Sequence, residues 1–188
     1  MTGAGAPMSA EVLIALLRGV NVGGAGRLPM AEWRGMLAAI GCTGVQTYIQ
    51  SGNAVFRAER TGLAEAIGSG IAGRFGFRPH VFLLTLPEIE AVLAANPFAP
   101  PQGLETTVHI FFLDHPAPDA DLAGIQTLAA PDEAFHLTDA AFYLHAPSGI
   151  GRSVLAQKLG RFLAVPTTAR NLASVQAVVT LARGLEGG

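Results

Sequence analysis

The order in which strand-like and helix-like stretches follow one another constrains this chain most. Residues 11–18 (EVLIALLR) form a nearly continuous apolar run of strand length, the pattern of a strand covered on both faces. Residues 18–28 (RGVNVGGAGRL) are a Gly-rich loop, and Pro29 follows where a first helical position tolerates proline. Met30, Trp33, Leu37 and Ile40 recur at helical spacing, and Gly41 ends that helix. Residues 45–50 and 53–58 read as strands around Ser51-Gly52, a tight hairpin. Leu63, Ile67, Ile71 and Phe75 repeat every four residues, so residues 61–75 read as a helix capped by Thr61. Residues 78–85 are a further strand. The resulting β-α-β-β-α-β order is that of a ferredoxin-like split unit.

The second half opens with a helix. Thr85 and Glu88 are spaced as a capping box, Pro87 lies in the first turn, and Asn96-Pro97 stops the helix. Residues 97–103 (PFAPPQG) are the most linker-like stretch. Residues 108–113 read as a strand, 119–129 as a helix, 134–137 and 141–145 as a strand pair, and 152–163 and 171–183 as helices. The expectation is therefore an α+β chain of two ferredoxin-like modules, the second lacking its last strand and ending in a helix. Residues 1–9 read as a flexible tail, 10–86 as the first module, 87–103 as a helix and linker, and 104–188 as the second module.

Composition excludes several classes. The net charge is −2 and half the residues are hydrophobic, unlike a disordered chain. A lone Cys42 excludes a disulfide scaffold. No apolar run approaches the ~20 residues of a membrane span, and residues 1–9 lack the basic and apolar regions of a secretory signal. A cytoplasmic protein without a membrane partner is expected. Ala and Gly supply 55 of the 188 residues, and 11 of the 12 basic residues are Arg. That bias blurs helical periodicity and makes any single Arg an ordinary occurrence.

Three stretches, LLRGVNVGG (16–24), LPMAEWR (28–34) and TYIQSGNAVF (47–56), together with Asn96-Pro97-Phe98 and Thr168-Ala169-Arg170-Asn171, resemble the uncharacterised bacterial proteins grouped as domain of unknown function 1697. The likeness runs from about Val12 to Leu181. Leu172-Ala173 stands where relatives more often carry Trp-Asn after the Arg-Asn pair, and Val154 where they carry Lys. The resemblance implies an α+β fold with ferredoxin-like character and no assigned activity.

In a split β-α-β sheet the first and second strands are parallel, with the third between them and antiparallel. The end of the first strand, the end of the second and the start of the third then share one sheet edge. That edge gathers Arg18, Asn21, Gly23, Gly24, Arg27, Gln50, Ser51, Gly52 and Asn53 beside a helix start at Pro29 or Met30. Open backbone amides, a helix N-terminus and Arg suit a phosphate or carboxylate. The bland alternative is a connection needing positive φ beside a simple turn. A second candidate is Ser148-Gly149-Ile150-Gly151-Arg152-Ser153, with Arg152 and Ser153 opening a helix; a Gly turn with Ser153 as cap is its plain reading. Arg170-Asn171 is a third, with Asn171 readable as the cap of the last helix.

Other patterns carry less. Gly68, Gly70 and Gly73 fit the dinucleotide spacing but lie inside a helix, not after a strand. No pair among the five His shows metal spacing, so no metal or cofactor is expected. Asp114-His115 before Pro116 reads as a solvated turn rather than an acid–base pair. Ser51 has no local base, and no catalytic residue can be named. The reading is a small-ligand protein, with enzymatic activity open. Nucleic-acid binding is disfavoured by slight acidity and a single aromatic on the third strand, and a non-catalytic homo-oligomer is the remaining alternative.

Overall fold

The computed structural model describes residues 10–24 and 26–187; the tail expected at residues 1–9 lies outside them. The architecture is mixed α+β, with two four-stranded antiparallel sheets and six α-helices among the described residues. These fall into two compact units. One takes in the described residues up to Ile89 and those from Val178 onward, the other Glu90–Ala177.

The first unit runs β1 (Glu11–Leu17), α1 (Met30–Ala39), β2 (Thr43–Tyr48), β3 (Asn53–Ala58), α2 (Leu63–Phe75) and β4 (Val81–Thr85). Its sheet order is β2-β3-β1-β4, every neighbour antiparallel. β1 is central, and every residue after Glu11 is buried, which is why its sequence is apolar on both faces rather than alternating. Leu13, Ala15 and Leu17 point to one face and pack with Ala54 and Phe56 of β3, Trp33 and Leu37 of α1, and Ile67 and Ile71 of α2. Each fully buried Leu or Ile there contributes about 1.5–3 kcal/mol. Val12, Ile14, Leu16 and Val55 are buried on the other face. The last residues of α6 (Leu172–Glu186) belong to this unit: Arg57 donates to the carbonyls of Leu185 and Glu186 at 2.8 and 3.3 Å.

Local signals differ from expectation at three places here. β2 stops at Tyr48, so the hairpin turn is Ile49-Gln50-Ser51-Gly52 rather than Ser51-Gly52 alone; Ile49 and Gly52 both take positive φ, +49° and +76°. Gly62, in the left-handed region, precedes α2 and no side chain caps it, so Thr61 is not the cap. β4 begins at Val81, three residues later than the run from Arg78 suggests. The capping box at the start of α3 (Leu86–Ala94) does form: Thr85 N–H donates to Glu88 Oε2 at 2.7 Å, and Glu88 N–H to Thr85 Oγ1 at 3.3 Å.

The second unit contains β5 (Val108–Leu113), α4 (Leu122–Leu128), β6 (Ala134–Leu137), β7 (Ala141–His145), α5 (Val154–Leu163) and β8 (Thr167–Asn171). Its sheet order, β6-β7-β5-β8, repeats that of the first unit. The expectation that the closing strand is missing is thereby corrected: β8 pairs with β5 from Asn171 opposite His109 to Thr167 opposite Leu113. α5 and α4 cover one face, where Leu155, Leu159, Leu163 and Ile125 pack on Phe111, Phe142 and Leu144. On the other face the Tyr143 hydroxyl donates to Val92 O at 2.7 Å. α4 is shorter than the acidic run suggests, because Asp121 is its cap and accepts from Gly124 N–H at 2.8 Å.

Candidate functional site

The register of the first sheet brings the expected edge together. Leu16 and Tyr48 both face Asn53 across the ladders, and Leu17 faces Val81, so the ends of β1 and β2 and the starts of β3 and β4 lie side by side. Leu17 N–H donates to Gly52 O at 2.9 Å and Arg18 N–H to His80 O at 3.0 Å.

Asn21 holds the Gly-rich loop to the hairpin. Its Oδ1 accepts from Leu28 N–H at 2.8 Å, and its Nδ2 donates to Leu28 O at 3.0 Å and to Gln50 O at 2.8 Å. Its own N–H donates to Gly26 O at 3.0 Å. The side chain sits at φ +55°, a conformation asparagine tolerates better than most residues. Both amide hydrogens are engaged, so Asn21 serves as a pin for the loop. Asn53 plays the same part in the hairpin: it is fully buried, and its Nδ2 donates to Tyr48 O at 3.3 Å and Ser51 Oγ at 2.8 Å. Gly52 has a steric requirement as well. A Cβ there would strike Val20 Cγ2 and lie 2.8 Å from Leu17 Cβ.

Beside these pins, the polar groups facing solvent at this edge include the side chains of Arg18, Arg27 and Gln50 and the backbone of Gly23 and Gly24. Among the described residues, no hydrogen bond or ion pair engages the side chains of Arg18, Arg27 or Gln50, or the N–H groups of Gly23 and Gly24. No Asp or Glu occurs between Glu11 and Glu32 or between Glu32 and Glu59, and Glu32 is itself paired with Arg74 at 3.0 Å. The loop and the hairpin thus carry Arg18 and Arg27 and no acidic residue of their own.

The other candidates have structural duties. Ser153 is buried and caps α5 by accepting from Ala156 N–H at 3.0 Å. The N–H groups of Gly149, Arg152 and Ser153 close turns onto Ala146, Gly149 and Ile150 carbonyls, so this segment does not present a row of open amides. Arg152 is exposed. Asn171 caps the start of α6, accepting from Ser174 N–H at 2.8 Å. Arg170 donates to Thr168 Oγ1 at 3.0 Å and Ala169 O at 2.7 Å, and burial pushes its guanidinium down to about 10, still charged at neutral pH. His115 Nδ1 lies 3.1 Å from Pro116 O in an exposed turn. Burial pushes the Cys42 thiol up to about 11. No group of three or more His, Cys, Asp or Glu among the described residues could hold a metal ion, and no helix among them is long and apolar enough to cross a membrane.

Sequence reasoning passes over two features of this end of the sheet. One is Ile49, whose positive φ nothing in its residue type announces. The other is a shallow cavity of about 190 Å³ between α2 and β4, lined by Glu65, Gly68, Arg78 and His80 among others. Arg78 pairs with Glu65, Ser69 Oγ donates to Glu65 Oε1 at 3.1 Å, and these hydrogen bonds hold the Glu65 carboxyl below its ordinary range. Glu65 and Ser69 lie off the apolar period of Leu63, Ile67 and Ile71, and the sequence places Arg78 at the start of a strand, so nothing in the sequence joins the three.

A family model described as a protein of unknown function, DUF1697, matches residues 10–143. The chain belongs to DUF1697. No curated protein is significantly similar to it. Among solved structures, a conserved bacterial protein from Streptococcus pneumoniae, SP0830, is similar with a TM-score of 0.62 and 23% sequence identity, covering 93% of this chain and 99% of that one. At that identity the likeness carries the fold. The DUF1697 match includes the whole Gly-loop and hairpin edge and stops before Arg152, Ser153, Arg170 and Asn171.

Proposed function

We propose that this DUF1697 protein binds a small phosphate- or carboxylate-bearing molecule at the Gly-loop and hairpin edge of its first sheet. The observation that carries the reading is the pairing of two unengaged guanidiniums, Arg18 and Arg27, with a loop that Asn21 already holds in shape. A preformed loop loses little conformational entropy when a ligand docks, so even a few charge-assisted hydrogen bonds can give useful affinity. The amides of Gly23 and Gly24 and the first turn of α1, where Pro29 provides no side-chain cap, add donors of the same sign. The repeated strand order, 2-3-1-4 in the first unit and its equivalent in the second, supports reading each half as a ferredoxin-like module. The single buried Cys42 is in keeping with a cytoplasmic setting. A nucleic-acid reading lacks its stacking platform, because Phe56 of the central β3 strand is buried in the core.

The test is thermal unfolding followed by the fluorescence of Trp33, the single tryptophan, in inorganic phosphate against sodium chloride of equal ionic strength. A phosphate concentration of 100 times the dissociation constant stabilises by about 2.7 kcal/mol. Saturable stabilisation by phosphate that is lost in Arg18→Ala supports the site. Equal stabilisation by both salts, or an unchanged response in Arg18→Ala, removes it. A screen of phosphorylated and carboxylated metabolites then finds the ligand.

A further inference from the structure

We infer that the ligand of this edge is amphiphilic: an anionic head for Arg18 joined to an apolar body that lies on Val22 and Ile49. The inference rests on the anion-site reading above and adds the chemical class of the molecule.

Two large apolar side chains stand out at this edge. Val22 is 67% exposed and Ile49 is 53% exposed. They are far apart in sequence but not in space. Asn21 Nδ2 donates to Gln50 O at 2.8 Å, and Val22 follows Asn21 while Ile49 precedes Gln50. Each apolar side chain is thus one residue from the bond that clips loop to hairpin. Arg18 enters the same loop from the end of β1.

Ile49 is also in the wrong backbone for its type. Its φ is +49°, a region from which β-branched residues are nearly excluded. Asn or Gly would make the same turn without strain. Burial does not explain the choice, because the side chain is half in water. An isoleucine at this φ makes physical sense when its side chain meets something outside the chain. The exposed and unengaged guanidinium of Arg18 at the same loop gives that partner a negative charge. A charged head beside an apolar pair fits a small amphiphile such as an alkyl phosphate or a short fatty carboxylate.

The experiment is calorimetric titration of the full chain with inorganic phosphate and then with ethyl, butyl and hexyl phosphate, all below their micellar range. Each methylene that leaves water for an apolar contact tightens binding by up to about fourfold. We expect affinity to rise along the series in the wild type. In Ile49→Gly, which suits the positive φ, we expect the rise to flatten while phosphate itself binds as before. Val22→Ala provides a second variant with the same expected outcome. Phosphate binding with no dependence on chain length overturns the amphiphile inference and leaves the anion site standing. No binding of phosphate, with Arg18→Ala indistinguishable from wild type, sinks both. A chain-length dependence that Ile49→Gly and Val22→Ala leave unchanged also overturns the inference. So does concentration-dependent self-association that Ile49→Gly abolishes, since a second copy would then cover the pair.

Discussion

Replacing Asn21 tests the idea that this edge is built in advance of any ligand. Asn21→Gly keeps the φ of +55° at no steric cost but deletes three hydrogen bonds. Gln50 is exposed, so water can replace the bond to its carbonyl. Leu28 is 1% exposed, so its N–H and C=O lose their partner with little water to take its place. A buried polar group left unpaired costs about 1–3 kcal/mol, and the partial exposure of the loop puts the pair near the lower end, about 2 kcal/mol in all. Asn21→Ala makes the same deletion and adds about 1 kcal/mol for a Cβ in the left-handed region. The assay is urea unfolding read by Trp33 fluorescence, which reports on the first unit because Trp33 is fully buried in that core. With a urea slope of about 2 kcal/mol per molar, the midpoint falls by about 1 M in Asn21→Gly and about 1.5 M in Asn21→Ala. If both variants unfold within about 0.25 M of the wild type, the side chain is not a pin. If Ala and Gly cost the same, the argument from φ fails.

Three further outcomes follow from the structure. Gly52→Ala combines a φ of +76° with a Cβ 2.8 Å from Leu17 Cβ, and should lower stability by about 2 kcal/mol or more on the same fluorescence assay; a neutral effect would contradict the hairpin geometry. The Cys42 thiol, pushed up to about 11 by burial, should resist a thiol reagent in native buffer at pH 8 and react fully in urea; fast native labelling would contradict its burial. Burial holds the His109 imidazole below its ordinary value of 6.5, and its Nδ1 has no hydrogen-bond partner. The unfolded chain therefore takes up this proton first on acidification, and native stability drains away as pH falls from about 6.5 toward the lowered folded value. Calorimetric melting of His109→Leu should accordingly compare better with the wild type at pH 5.5 than at 7.5, and an identical gap at both would contradict the assignment.

The strand and helix order was readable in the first half because both of its signals are strong: an unbroken apolar strand, and helices with a period set by Trp33, Leu37, Ile67 and Ile71. β8 was hidden because it is short, follows Pro166, carries Arg170, and ends in Asn171, whose side chain caps the next helix. A residue with both duties shows only one of them in a sequence. The location of the edge was also legible, since it follows from the antiparallel order of three strands. The roles of its polar residues were not. The pinning bonds of Asn21 and Asn53 are invisible there, because sequence gives amide groups but not the carbonyls that converge on them. Ser153 and Asn171 read correctly as caps on their plain interpretation. Ile49 could not be flagged, because strain lives in a backbone angle and not in residue type.

The most direct test of the anion site is a phosphate titration followed by backbone amide chemical shifts in wild type and Arg18→Ala. The account predicts saturable shifts confined to Gly23, Gly24, Gln50 and the first turn of α1, all lost in the variant. Shifts that grow linearly, scatter over arginines across the surface, or persist unchanged in Arg18→Ala would contradict it.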